Sequence, residues 1–497
     1  MKAFVNRTAA ALTFGAFAAA PLLAQNPAQA CDPTANTKGD IAKAQFSLSR
    51  AMASGDKGDP TKNLQDVIHL TENGDDNPTA RSFLRGQAYV VYMMRPNTPS
   101  VVQRSALGFS TNPTGTIDLF VAADSSFSVV EKALPECRPL MHQWRQQKPW
   151  LNTLNAAINA LNANQLDSAE TLAKRSLVLD RNAPYAYSVL GSVAQNRKDW
   201  AAANDYWKQT LVAAGTDTAY ADVRTKTMYE LAAAGSAKAD AATGAAKRAA
   251  AHDAIKPWQD YIANSNTDLL LADALDNLAR MYTAAGDSAS VPAIYAPMLA
   301  NPSKYGELTL VHAGVVATRN GHPADGTKLF DAAQAQNPYS RDVINNLAAT
   351  YIQINEPSKA FPLIDKLIAM DPSNPDNPEL YAFAYQGMYK GTKDKKLQKI
   401  YTDSLVYWNN KSVSLPVKLT VTEFSRQPTQ TSIGGTIENR GTTPKTYTLT
   451  LDFLDKAGTV IDTQTVTVGP VAPKSSKTFT IESTKGGAYG FRYKPLT

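Results

Sequence analysis

A 34-residue repeat constrains the fold of this 497-residue chain more than any other feature of its sequence. Two consecutive blocks, 307–340 and 341–374, share one register. Both have a small residue at place 8 and an Asn-Pro or Asp-Pro pair at places 31 and 32, namely Gly314, Ala348, Asn337-Pro338 and Asp371-Pro372. Small residues allow two helices to touch, and a proline ends the second helix. One such hairpin cannot bury its own apolar face, so the sequence predicts a stack of hairpins.

The same register occurs earlier in the chain. Blocks 150–183 and 184–217 follow each other without a gap, and the second has Gly191 at place 8 and Trp207 at place 24. The register then loosens. We interpret 235–244, which is rich in small and polar residues, as an inserted loop.

These blocks resemble the tetratricopeptide repeat (TPR). The resemblance implies a mainly α fold, a right-handed α-solenoid of TPR-like helical hairpins. A last pair of helices, which contains the run Lys393-Asp394-Lys395-Lys396, is expected to cap the stack with one face in water. Ahead of the clear repeats, 95–116 is rich in Pro, Ser, Thr and Asn and is predicted to be a long surface loop.

The C-terminal part of the chain has a period of two instead. From about residue 412, apolar and polar residues alternate, as in Tyr447-Thr448-Leu449-Thr450-Leu451, and turn residues separate the alternating runs. This pattern predicts short strands that pack as a small all-β immunoglobulin-like sandwich. Gly435-Thr436-Ile437-Glu438-Asn439 and Leu451-Asp452-Phe453-Leu454-Asp455 resemble the FxLYD module of bacterial surface proteins.

The first thirty residues have the pattern of a secretory leader. Lys2 and Arg7 precede an apolar run at 9–24, and Ala28-Gln29-Ala30 is a small-x-small cleavage signal. We predict cleavage after Ala30, a periplasmic or secreted protein, and no integral membrane span in the mature chain. The predicted segments are a signal peptide at 1–30, degenerate helical repeats at 31–146, a TPR-like solenoid at 147–411 and the FxLYD-like sandwich at 412–497.

The two cysteines, Cys31 and Cys137, are expected to form a disulfide in an oxidising compartment. The alternative is lipidation of Cys31, as in a bacterial lipoprotein. Such signals usually have leucine three places before the cysteine, where this chain has Ala28.

The sequence contains none of the common catalytic or metal-binding motifs. The five histidines do not pair at metal-ligand spacing, and no His-Glu-x-x-His, Cys-x-x-Cys or Gly-x-Ser-x-Gly occurs. We therefore predict no catalytic residue, no metal and no cofactor; an enzyme with a site assembled from distant residues remains a separate hypothesis. The formal charge of +6, which loss of Lys2 and Arg7 would lower by two, is too small and too scattered to indicate nucleic-acid binding.

The TPR resemblance also implies a binding surface. In that family the first helix of each hairpin lines the inner face through places 2, 5, 9, 12 and 13. The groove residues carried over in this way are Tyr185, Gln195, Asn196, Val311, Val315, Arg319, Asn345 and Gln353. Amides and an arginine suit the backbone of an extended peptide, although an ordinary solvent-exposed face would have a similar composition.

The sequence thus predicts an exported, non-enzymatic scaffold that binds a protein or peptide of the cell envelope in the groove of the solenoid. The alternative is a cell-wall or carbohydrate-binding surface protein that binds through the C-terminal sandwich.

Overall fold

The computed structural model describes residues 31–53, 58–74, 76–265 and 268–496. The predicted signal peptide at 1–30 lies outside the described residues. The chain divides between Ala234 and Gly235 into two compact units. The four segments predicted from the sequence have boundaries that differ from this division, and they stay a prediction.

The first unit is built mainly from helices. Its elements are α1 (Gly39–Ala53), α2 (Thr61–Glu72), α3 (Pro78–Met93), β1 (Val101–Gln103), β2 (Thr116–Asp118), α4 (Leu119–Ala133), α5 (Arg138–Arg145), α6 (Lys148–Asn162), α7 (Leu166–Leu179), α8 (Pro184–Asn196), α9 (Trp200–Ala214) and the first part of α10 (Ala221–Ala241). The clear repeat blocks of this unit are the hairpins α6–α7 and α8–α9.

The second unit continues the hairpins and ends in strands. Its helices are α11 (Gly244–Asn264), α12 (Asp268–Ala285), α13 (Pro292–Ala300), α14 (Glu307–Arg319), α15 (Pro323–Gln336), α16 (Arg341–Gln353), α17 (Pro357–Met370), α18 (Asp376–Gly391) and α19 (Lys395–Ser414). Its strands are β3 (Val417–Arg426), β4 (Thr431–Asn439), β5 (Lys445–Leu454), β6 (Val460–Val471), β7 (Ser476–Ser483) and β8 (Gly490–Tyr493). The predicted fold class, TPR-like hairpins followed by a small β-sandwich, is confirmed.

Place 8 of the repeat has the packing role that its small residues predicted. Gly191 on α8 and Gly314 on α14 lie against the aromatic residues at place 24 of their own hairpins. A Cβ atom at Gly191 would collide with the Trp207 ring, and one at Gly314 would lie 2.6 Å from Phe330. The glycines therefore let two helices pack around a buried aromatic ring.

One predicted loop holds only in part. The segment 95–116 is mainly irregular and lies at the surface, but it contains β1 and leads into β2, and these short strands pair antiparallel. Glu72 orders the part between them, because its carboxylate accepts from the backbone N–H groups of Ser110 and Thr111 at 2.7 and 2.8 Å. Burial acts to raise the pKa of Glu72, but these bonds and those from the two hydroxyls lower it to about 2.

The loop predicted at 235–244 is wrong, because α10 continues to Ala241. Small residues here make close helix packing possible within the second unit. A Cβ atom at Gly235 would lie 3.0 Å from the Cβ of Ala254, and Ser236 accepts the indole N–H of Trp258 at 2.8 Å. The glycine and serine residues of this segment indicated a loop by their composition. Close packing against a neighbouring helix also requires small residues, and it explains their presence here.

The sandwich consists of two antiparallel sheets of three strands each within the described residues, ordered β3-β4-β7 and β6-β5-β8. Apolar residues alternate along β4 and β5 and form a common core that includes Ile437, Tyr447, Phe453 and Phe491. The edge strands β3 and β8 belong to different sheets.

Ser373, in the turn after α17, joins both of these edge strands to the helices. Its carbonyl oxygen accepts the N–H of Leu419 on β3 at 3.0 Å. Its own N–H donates to the Tyr493 hydroxyl on β8 at 3.2 Å, and its hydroxyl accepts the N–H of Leu496 at 2.9 Å. One repeat turn thus bonds to the backbone of β3, to a side chain of β8 and to the segment that follows β8.

Asp371 holds this turn in place. The carboxylate is fully buried, accepts a hydrogen bond from the Tyr493 hydroxyl, and lies 2.6 Å from Nε of Arg341. Burial and the Asp371 carboxylate raise the pKa of Tyr493 well above its usual value, so the hydroxyl remains a donor. Asn337, one repeat earlier at the same place 31, donates to the Tyr489 carbonyl at 2.8 Å, next to β8.

The predicted Cys31–Cys137 disulfide is present in the first unit, with Cα atoms 5.3 Å apart. It ties the residues before α1 to the turn before α5, across 106 residues. A cross-link over a loop of this length stabilises chiefly by restricting the unfolded chain. A sulfur bonded to Cys137 cannot carry a thioether-linked lipid, so the disulfide and lipidation of Cys31 exclude each other.

We expect Tyr493→Phe to lower the free energy of unfolding by about 3 kcal/mol, because it leaves a buried carboxylate oxygen and the Ser373 N–H without a partner. Urea unfolding of the full chain measures this loss. Tyr447→Phe is the matched control: this tyrosine is also buried in the sandwich, and its hydroxyl makes no hydrogen bond to the described residues. Equal losses in the two variants would contradict the assigned role of Tyr493.

Candidate functional site

The first helices of successive hairpins lie side by side in the second unit. α12 packs on α14, α14 on α16, and α16 on α18. His312 on α14 marks one contact, since its Nδ1 atom lies 2.7 Å from Oδ2 of Asp276 on α12. His312, at place 6 of its block, therefore faces the first helix of the preceding hairpin.

Part of the predicted groove set comes together on α14 and α16. Val311, Val315 and Asn345 are half-buried, while Arg319 and Gln353 are exposed. The side chains of Arg319, Asn345 and Gln353 make no hydrogen bond or ion pair to the described part of the chain. The two helices thus combine partly exposed valines with hydrogen-bonding groups that are free to bind a ligand.

Phe383 on α18 extends this surface and was missed by the sequence prediction. It is 48% exposed, which is unusual for phenylalanine. Another block in the same register, 375–408, would have placed Phe383 at place 9, as Val315 and Ala349 are in the two preceding blocks. The repeat period alone was therefore sufficient to find it. We call Val311, Val315, Arg319, Asn345, Gln353 and Phe383 the inner-helix surface.

The predicted groove residues of the first unit are used differently. Tyr185 is 5% exposed and donates to Asp222 at 2.8 Å, and Gln195 donates to Glu230 at 3.1 Å. Burial, with the hydrogen bond to Asp222, raises the pKa of Tyr185. These side chains join α8 to α10, and Tyr185 offers little surface to a ligand.

Asn196 lies at the end of α8 and is exposed, but its amide donates to the carbonyl of Ser192 at 2.8 Å. On α10, Lys226 lies one helical turn from Asp222 and one from Glu230. Burial lowers the pKa of Lys226, while both carboxylates oppose that shift. The polar groups of α8 and α10 mainly satisfy each other.

The first unit also contains a charged cleft of about 540 Å³ between α4, α5 and the α7–α8 turn. Buried Arg145 contacts Asp124 at 2.9 Å and Glu131 at 2.7 Å, and Arg181 contacts the other oxygen of Asp124 at 2.5 Å. The two arginines and the two carboxylates balance each other's charge, so we interpret these ion pairs as a structural network.

A second, mainly apolar cleft of about 440 Å³ lies in the second unit. Residues of α11, α12 and α13 line it, including Leu271, Leu278 and Met298. Gln259 donates to the Tyr282 hydroxyl at 2.8 Å at this cleft. Its size and lining suit an apolar side chain.

Across 31–53, 58–74, 76–265 and 268–496, no three His, Cys, Asp or Glu side chains are grouped so that they could hold a metal ion. No helix in that same part of the chain has the length and apolar character to cross a membrane.

Comparison with known proteins finds likeness in fold. No protein-family model matches the chain, and no curated protein does. YrrB, a TPR protein with an unusual peptide-binding site, is 17% identical, and the match covers 53% of this chain and 97% of YrrB with a TM-score of 0.24. PilW, a type IV pilus biogenesis factor, is 12% identical over 51% of this chain and 99% of its own, with a TM-score of 0.30.

A tetratricopeptide repeat protein from Parabacteroides merdae is 11% identical over 53% of this chain and 99% of its own, again with a TM-score of 0.30. At these identities and TM-scores, the likeness assigns no function.

Proposed function

We propose that this protein is an exported, non-enzymatic scaffold and that it holds a protein or peptide of the cell envelope on the inner-helix surface. The observation that carries the proposal is the exposed Phe383 in the same register as Val315, on a row of first helices that also presents an arginine and two amides left unused by the described residues. An exposed aromatic ring on the same surface as unused donors is typical of a binding surface rather than of a solvated one.

The chemistry of the surface favours an extended peptide. The amides of Asn345 and Gln353 can each donate and accept, as a peptide backbone requires. Arg319 adds a cation that can bind a carbonyl or carboxylate group. The half-buried valines and Phe383 supply apolar contacts for alternate side chains of the ligand.

Export is the second part of the proposal. Its support is the leader pattern at 1–30 together with the Cys31–Cys137 disulfide, since disulfides persist in oxidising compartments.

Export predicts a mature protein that begins at Cys31, without lipid and with the disulfide intact. Mass spectrometry of the protein from its native envelope fraction measures both features. A mature mass that includes acyl chains, or a chain that retains residues 1–30, would contradict this part of the proposal.

Site-specific photocrosslinking tests the binding surface. A photoreactive phenylalanine analogue at position 383 is expected to crosslink to one defined envelope protein, because this side chain faces the proposed ligand. The same analogue at Val212, an 83% exposed residue of α9, is the control and should not capture that protein. Capture of the same protein from both positions would contradict the assignment.

The identified partner then allows an affinity measurement. Phe383→Ser combined with Arg319→Gln should weaken binding at least about tenfold, since loss of one central contact alone often has this effect. The control, Val212→Ser combined with Arg248→Gln, likewise replaces one exposed apolar residue and one exposed arginine, at sites elsewhere. Both double variants should keep their free energy of unfolding within about 0.5 kcal/mol of the wild type, as surface changes do. Unchanged affinity in the first double variant would refute the proposed surface.

A further inference from the structure

The predicted capping helix has an unexpected outer face. The last helix of a stack is usually polar on the side without a neighbour, and α19 was predicted to be so. Instead its exposed apolar side chains, with their exposed fractions, are Leu397 (37%), Ile400 (54%), Val406 (48%), Tyr407 (59%) and Val413 (64%). Exposed polar residues such as Lys396, Asn409 and Lys411 lie among them, so the predicted water-facing side is present but contains apolar residues as well.

Part of this apolar surface gathers at the tip of the α18–α19 hairpin. The two helices pair antiparallel, with the Tyr385 and Tyr401 rings 6.2 Å apart. One turn further along α18, Tyr389 is 41% exposed, and the antiparallel register brings it level with Leu397. Ile400 lies one turn along α19 from Leu397. We call Tyr389, Leu397 and Ile400 the hairpin-tip patch.

Lysines surround the hairpin-tip patch. Residues 388–403 contain two aspartates and five exposed lysines, namely Lys390, Lys393, Lys395, Lys396 and Lys399. Asp394 caps α19 by accepting from the backbone N–H groups of its first turn, and Asp403 contacts Lys399 at 3.1 Å. The other four ammonium groups make no ion pair or hydrogen bond to the part of the chain that the structure describes. The tip therefore combines apolar side chains with uncompensated positive charge.

We propose that the hairpin tip docks on an anionic lipid surface. Lysines attract anionic headgroups, while a tyrosine and two aliphatic side chains can enter the boundary between headgroups and acyl chains. Tyrosine prefers this boundary because its ring is apolar and its hydroxyl is polar. The contact is peripheral and reversible, since only a shallow patch enters the lipid.

The geometry favours lipid over a protein helix as the occupant. A partner helix usually lies in a groove between helices, with apolar anchors spaced along its length. The hairpin-tip patch instead lies at the outer end of a hairpin, with the lysines around it. Lysines act as hydrated point charges, which suits mobile headgroups better than the fixed two-point geometry of a protein carboxylate.

Vesicle co-sedimentation of the full chain tests this proposal. The protein is expected to sediment with vesicles of mixed phosphatidylglycerol and phosphatidylcholine, and not with phosphatidylcholine alone. Binding should weaken as ionic strength rises to about 0.15 M and beyond, because salt screens the lysine–headgroup attraction. Equal binding to both vesicle types, or no binding to the anionic vesicles, would overturn the proposal.

Two sets of variants locate the contact. Lys393→Gln, Lys395→Gln and Lys396→Gln together should lower the partition coefficient at least about tenfold. The matched control changes three exposed lysines elsewhere, Lys38→Gln, Lys148→Gln and Lys208→Gln. The control should retain binding, and a loss of the same size in both triple variants would overturn the assignment to the tip.

The apolar contribution has its own pair of variants. Ile400→Ser should weaken vesicle binding severalfold, whereas Val212→Ser, which also changes an exposed aliphatic residue, should leave it unchanged. Binding of an acidic amphipathic peptide at the tip, in a chain that does not bind anionic vesicles, would overturn the proposal in favour of a protein partner.

Discussion

The second unit depends on the interaction of the fully buried Asp371 carboxylate with Arg341 and with the Tyr493 hydroxyl. A charge without access to water is stable only when its partners are close, and here Arg341 and the Tyr493 hydroxyl supply them. These partners come from the first helix of the same repeat and from the last strand of the sandwich. The interaction therefore fixes the turn that contains Ser373, and this turn binds edge strands of both sheets. The sandwich is consequently a structural part of the final repeats.

The same repeat place has this anchoring role more than once. Asn337 is 1% exposed and bonds to the Tyr489 carbonyl, and Asp180, at place 31 of a block in the first unit, is 2% exposed and accepts from Gln146 at 3.1 Å. In each case a buried polar side chain at place 31 forms a hydrogen bond to a residue outside its own hairpin, namely Tyr493, Tyr489 or Gln146.

Periodicity predicted much of the fold, because it records which faces are buried. It located the hairpins, the glycine contacts with Trp207 and Phe330, and the change to strands. Composition failed at 235–244, where small residues reflect close packing of α10 against α11. At α19 the lysine run correctly indicated an exposed side, but it gave no sign of the apolar residues that are exposed there too. The site was predicted only in part. A repeat position predicts which way a side chain points, but it does not predict the partners of that side chain. Only the structure shows that Tyr185 donates a hydrogen bond to Asp222, while Arg319 makes no hydrogen bond within the described residues.

Amide hydrogen exchange of the full chain tests the central claim most directly. The backbone N–H groups of Ser373, Leu419 and Leu496 form the bonds between the repeat turn and the sandwich. If the sandwich is an integral part of the final repeats, these amides should exchange only with the slowest amides of β4 and β5, through cooperative opening. Fast exchange of the three amides, while β4 and β5 remain protected, would show that the sandwich moves independently and would contradict the account.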